Sequence, residues 1–209
     1  MINIPLDGQY QSDSLSISNQ LNTNCYINIP QTQSFSQANL FGTAGINEIS
    51  TTGVIRQVNR GSHIKAGKPY FLNGETLYRQ DLSTVAGDEG FTNVALGTIS
   101  GTSRVSMADN GTQLMVLIPG GNGYIVNEAA SPIFQQITDT DFIANGAPQY
   151  VKFVDSFFVV TTDSKKFIKS ASNDGLAWNA LDFGTAESDP DDIVSLIISK
   201  NRVYIAGSE

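Results

Sequence analysis

The chain has 209 residues, a formal net charge of −8 from 20 acidic and 12 basic side chains, and a single cysteine, Cys25. One full domain fits that length and a second would be cramped. An acidic balance with five scattered arginines argues against adhesive nucleic-acid binding, which needs clustered cations, and one cysteine excludes an intramolecular disulfide or a multi-cysteine zinc site.

Glycine is abundant at 19 and charged residues are only 15%. Thr, Asn, Ser, Ile and Val stand where helical surfaces would carry Glu, Lys and Ala, so the composition predicts an all-β protein of short strands and turns. No stretch approaches the roughly 20 apolar residues of a membrane span, and residues 1 to 10 lack the basic start and apolar run of a signal peptide. A soluble chain made in a cytoplasm, without a membrane anchor, is expected.

Residues 1 to 53 are rich in Gln, Asn, Ser and Thr and carry Ile-Pro twice, at Ile4-Pro5 and Ile29-Pro30. Proline cannot donate to a ladder, so this region is read as an extended amino-terminal segment. Its apolar residues, among them Tyr10, Ile17, Tyr26, Phe35 and Phe41, predict that it docks on another surface.

From residue 54 to 209 a unit repeats: short apolar strand, tight turn, more apolar strand, turn, third strand. The first unit runs Ser62 to Lys65, Tyr70 to Leu72 and Thr76 to Arg79, with turns at Gly67 and Asn73-Gly74. The second runs Arg104 to Met107, Leu114 to Ile118 and Tyr124 to Val126. The third runs Tyr150 to Phe153, Phe157 to Val160 and Lys166 to Ile168. A fourth begins with Val194 to Ile198 and Val203 to Ile205, and its stop after two strands predicts a longer natural protein. Equivalent turns at Asp109, Asp155 and Lys200 are spaced by 46 and 45 residues. That period predicts a partial β-propeller of three to four four-stranded blades, since a small sheet buries both faces only by stacking on neighbours. A β-sandwich shares the short strands, and the period decides against it.

Chemical motifs are sparse. His63, the only histidine, lies in an alternating strand, where a surface or interface role outweighs catalysis. Pro119-Gly120-Gly121-Asn122-Gly123 leads into a strand, so it predicts a hairpin turn and not a phosphate cradle. Asp139-Thr140-Asp141 and Asp189-Pro190-Asp191-Asp192 lack an EF-hand pattern, and Lys165, Lys166 and Lys169 form a short solvated basic face. No catalytic, cofactor-binding or metal residue is assigned, and no cofactor is expected.

Ser172-Asn173-Asp174-Gly175-Leu176-Ala177-Trp178 resembles the Asp-box turn of sialidase-type propellers, one residue short between Asp and Gly. In that family the box is structural, while catalysis uses an arginine triad, a tyrosine nucleophile and acids elsewhere. The rival expectation is a carbohydrate-binding or glycoside-hydrolase-like propeller using acids such as Asp174, Asp182 or Glu187 near Tyr150 and Trp178.

Several short segments carry a second resemblance. They are Asn24-Cys25-Tyr26-Ile27-Asn28, the glycine-rich run from Leu40 to Gly45, and Gly101 to Ala108 with Arg104-Val105-Ser106-Met107 at its centre. Further on are Asp174-Gly175 with Trp178, Leu181 to Glu187, Pro190-Asp191 and the closing Gly207-Ser208. Together they resemble the packaged-DNA stabilisation proteins, the tail hubs or nozzles of short-tailed bacteriophages. The resemblance implies a non-enzymatic virion protein of the phage tail, assembled in the host cytoplasm as a ring of about six copies. It implies a place below the portal and its adaptor, contacts with tailspikes, tail fibres and a tail needle or tip, and duplex DNA passing through the lumen without sequence-specific binding. An acidic lumen would repel the DNA backbone and let it slide.

Overall fold

The computed structural model describes residues 25–28, 39–42, 52, 57–82, 90–185 and 192–208. Met1–Glu48 and Ile49–Glu209 are separate compact units. In the first, β1 (Cys25–Asn28) and β2 (Asn39–Gly42) pair antiparallel. The docking expected of residues 1 to 53, and most of that segment, lies outside the described residues.

The second unit is a succession of antiparallel meanders. Blade 1 comprises β3 (Asn59–Lys65), β4 (Lys68–Asn73), β5 (Thr76–Leu82) and β6 (Phe91–Thr98). Blade 2 comprises β7 (Ser106–Asp109), β8 (Gln113–Leu117), β9 (Gly123–Asn127) and β10 (Phe134–Gln136). Blade 3 comprises β11 (Pro148–Val154), β12 (Phe157–Thr162), β13 (Lys166–Ala171) and β14 (Asp174–Thr185). A two-stranded fourth sheet follows, β15 (Ser195–Ser199) with β16 (Arg202–Ala206). Each unit expected from the sequence is found, and β6, β10 and β14 complete the blades to four strands.

Local chemistry sets the hairpins. The first turns of blades 1 and 3 and of the fourth sheet place two consecutive residues at positive φ: Ala66-Gly67, Asp155-Ser156 and Lys200-Asn201. This is the two-residue turn whose twist matches the flanking strands. Blade 2 instead folds its turn over side-chain oxygens, with Gly111 N–H donating to Asp109 and Thr112 and Gln113 N–H to Asn110. A short helix, α1 (Thr140–Ile143), joins blades 2 and 3; Asp139 caps it by accepting from Asp141 and Phe142 N–H. Four residues are too few to show helical periodicity in the sequence.

Two apolar clusters form the core, and both draw on β8. Leu114 and Val116 pack with Tyr70, Leu72, Leu77 and Ile99 of blade 1. The alternate residues Met115 and Leu117 pack with Val151, Phe158, Val160 and Ile168 of blade 3. The strand is therefore buried along its whole length. Removing a side chain such as Met115 from a core of this kind costs about 2–5 kcal/mol.

The sequence period reappears as contacts between consecutive sheets. His63 Nε2 meets Asp109 Oδ2 at 2.6 Å, and Val151 N–H donates to Ser106 Oγ at 3.0 Å. In the last seam Asn201 Nδ2 donates to Asp155 Oδ1 at 2.8 Å. These partners are 45 or 46 residues apart, so each sheet grips the next at the position one repeat along.

Outer strands also touch. Phe134 of β10 stacks on Tyr124 with ring centroids 5.3 Å apart and lies over Gly97 of β6, where an added Cβ would sit 2.2 Å from the ring. Gly97→Ala is expected to lower stability by about 1–3 kcal/mol, and Phe134→Leu in that background should recover part of the loss. Chemical denaturation of the four members of this cycle checks the prediction; additive losses would show that the two residues are not in contact.

Candidate functional site

The densest polar constellation lies between blades 1 and 2, and it begins with strand alternation. In β3, Lys65 occupies a core-facing position that a short apolar residue would normally take. Its Nζ donates to the Thr112 carbonyl at 2.9 Å, lies 3.9 Å from Glu128 Oε1 and sits 5.3 Å from the centre of the Tyr70 ring. From β4, Tyr70 donates its hydroxyl to Glu128. From β5, Arg79 Nη1 meets Glu128 Oε2 at 3.0 Å. One carboxylate of blade 2 thus collects donors from three successive strands of blade 1. Arg79 also binds Asp81, which Lys68 approaches at 3.0 Å.

The electrostatics argue for cohesion and against chemistry. Burial, then the Glu128 carboxylate, pushes the Tyr70 phenol above its usual value. Burial would raise the Glu128 carboxyl, but hydrogen bonds from Tyr70 and Arg79 and the charges of Arg79 and Lys65 outweigh it and hold it below 4.5. The Arg79 hydrogen bond outweighs burial to lower Asp81 as well. A tyrosine nucleophile needs a basic partner and access to substrate; here the phenol is 1% exposed and its carboxylate is already committed to cations.

Arg60 makes a second clasp in the same blade. Its guanidinium, 2% exposed, donates to the carbonyls of Gly74, Ile99, Ser100 and Ser103. Burial lowers its pKa, opposed chiefly by Glu75. The four acceptors span the β4–β5 turn and the connection from blade 1 to blade 2, so this cation fixes where the second blade starts.

The Asp-box-like turn lies at the next seam. Asp174 Oδ1 accepts from Leu176 N–H at 3.0 Å and from Gln113 Nε2 at 3.3 Å, while Gln113 Oε1 accepts from Gly175 N–H at 2.7 Å. A Cβ on Gly175 would come within 2.6 Å of Ile125 and 2.8 Å of Met115, so an added methyl would have to displace the ends of these side chains where the turn presses on blade 2. Trp178 donates to the Gly175 carbonyl and packs on Phe142, ring centroids 4.8 Å apart. Its backbone N–H donates to Asp139, which also caps α1. Gln113, absent from the sequence argument, is the reader of this turn.

The remaining sequence candidates are placed as follows. His63 is a seam residue paired with Asp109. Gly120 and Gly121 form the β8–β9 turn, with Gly121 N–H donating to Ile118. Lys169 pairs with Asp182 at 3.2 Å and lies over the Phe157 ring, Lys166 lies over Phe183, and Lys165 approaches Asp192. Asp189, Pro190, Asp191 and Glu187 are outside the described residues. No group of three or more potential metal ligands occurs among the described residues. A cleft of about 370 Å³ opens between blade 3 and β16, lined mainly by Val159, Phe167, Leu181, Phe183, Val203 and Ile205. Asp182 is the one carboxylate lining it among the described residues.

Sequence reasoning passed over Lys65, Tyr70, Arg79 and Glu128. The available signal was a cation at a core-facing position of an alternating strand, which requires a buried partner.

The lowered carboxyls of Glu128 and Asp81 tie stability to pH. A carboxyl depressed in the folded state contributes stability above its unfolded pKa and loses it as pH falls through the folded value. Stability should therefore hold from neutral pH to about 5 and fall below about 4.5. Glu128→Gln should be less stable at neutral pH and show a shallower acid decline. Urea midpoints measured across this range test it; an unchanged slope would remove Glu128 from the account.

A search of curated proteins gives no match. Among solved structures the chain is similar to BamB from Moraxella catarrhalis, with 10% identity and a TM-score of 0.49, over 73% of this chain and 42% of that one. The family model described as bacteriophage P22 Gp10, beta-propeller, matches residues 2–209. The chain therefore belongs to the phage-stabilisation family of P22 Gp10, and its repeating sheets are blades of that family's β-propeller.

Proposed function

We propose that this protein is a structural component of the phage tail, a hub or nozzle below the portal and its adaptor that retains packaged DNA and carries tail appendages. The family match over residues 2–209 carries this reading. The polar clusters support it: Tyr70, Glu128, Arg79, Asp174 and Gln113 are each occupied in joining sheets, and Trp178 braces its own turn against α1. Rigid seams suit a part that bears load from packaged DNA.

In this reading the protein acts without catalysis and without a cofactor. Copies associate into a ring of about six around the DNA path. A net charge of −8 favours passage over adhesion, since an acidic wall repels phosphates within about one Debye length. Residues 1 to 53 dock on the adaptor or on a neighbouring copy, and outer loops hold tailspikes, fibres or the needle. The chain spans 42% of the length of the solved structure it matches.

Against the glycan-cleaving alternative, Trp178 is buried against Phe142, Asp174 holds a turn and Asp182 pairs with Lys169, while Glu187 lies outside the described residues.

Light scattering and negative-stain imaging of the full-length protein test the proposal. Rings with a central channel, alone or on addition of the adaptor, are expected; a monomer that ignores the adaptor and cleaves a chromogenic glycoside would overturn it. Deleting residues 1 to 53 should abolish assembly with the adaptor, measured by co-sedimentation, while leaving the thermal transition of the blades in place.

A further inference from the structure

Four Asn-Gly pairs occur in the described residues, at Asn73, Asn110, Asn122 and Asn145. Glycine offers no Cβ to shield its amide, so the following nitrogen can reach the asparagine side chain. Whether it does so depends on how each side chain is held.

Three of the four are held. Asn110 Oδ1 accepts from the Thr112 and Gln113 amides, and its Nδ2 donates to the Asn173 carbonyl. Asn145, 7% exposed, donates to the Asp141 carbonyl at 2.8 Å and faces Lys166 Nζ at 3.4 Å. Asn73 donates to Thr52 Oγ1 at 3.1 Å. Asn122 differs: it is exposed at the β8–β9 turn, and its side chain bonds to no other described residue. Only its backbone carbonyl is engaged, accepting from Ile118 N–H at 3.0 Å.

We infer that Asn122 is the site of spontaneous deamidation in the folded protein. The Gly123 nitrogen attacks Asn122 Cγ, a C–N bond forms, and the side-chain amide leaves as ammonia, giving a cyclic imide. Water then opens either carbonyl, yielding aspartate or isoaspartate; no oxidant or reductant takes part. Either product adds a negative charge to the turn, and isoaspartate also adds a methylene to the backbone. Gly120 in this turn donates its N–H to the Pro148 carbonyl at 2.9 Å, so the change falls where blade 2 holds the start of blade 3.

The test is ageing of the intact protein at mildly alkaline pH, followed by peptide mapping by mass spectrometry and isoaspartyl methyltransferase labelling, beside a urea-unfolded control. In the folded protein Asn122 should convert at least several-fold faster than Asn73, Asn110 or Asn145, and the four should converge when unfolded. Asn122→Gln should remove most of the label from folded protein without shifting the thermal transition. Equal rates at the four sites in folded protein, or an Asn122 that stays intact while the unfolded control reacts, would overturn the inference.

Discussion

Strand β8 is apolar on both faces and has no solvent side, and the rest of the structure follows from that. Leu114 and Val116 require blade 1, while Met115 and Leu117 require blade 3. A lone four-stranded sheet built on this strand would leave one face in water. Burying a Leu or Val side chain contributes about 1.5–3 kcal/mol, so blades are stable only in company. Folding as a stack is the direct consequence.

Apolar stacking fixes that sheets meet but leaves their sliding and rotation loosely set. Polar contacts at one-repeat separation supply the register: His63 to Asp109, Val151 to Ser106, Asn201 to Asp155. Each seam then adds its own device. Between blades 1 and 2 a carboxylate gathers a phenol, a guanidinium and an ammonium. Between blades 2 and 3 a glutamine reads a glycine turn through both ends of its amide. Buried charge carries a desolvation cost that close partners only offset, so such networks specify one arrangement more than they add stability.

The same physics connects fold and function. The groups that resemble catalytic parts, a tyrosine beside a glutamate and an Asp-box with its tryptophan, are consumed by holding blades together. In a member of the phage-stabilisation family, polar clusters that join sheets accord with a structural phage protein.

By itself, the sequence determined the blades: runs such as Leu114 to Leu117 and Phe157 to Val160, the turns between them, and a spacing of 46 and 45 residues. Those signals are local, because alternation and turn chemistry act over a few neighbouring residues. Outer strands β6 and β14 were harder to read, since their partial exposure weakens the apolar pattern. Only the tertiary structure decided which polar residues meet. Glu128 finds Tyr70 across 58 residues and Gln113 finds the Asp174 turn across 61, and neither pairing leaves a local trace in the chain. Seams are made by bringing distant strands face to face, and that geometry exists only once the sheets have stacked.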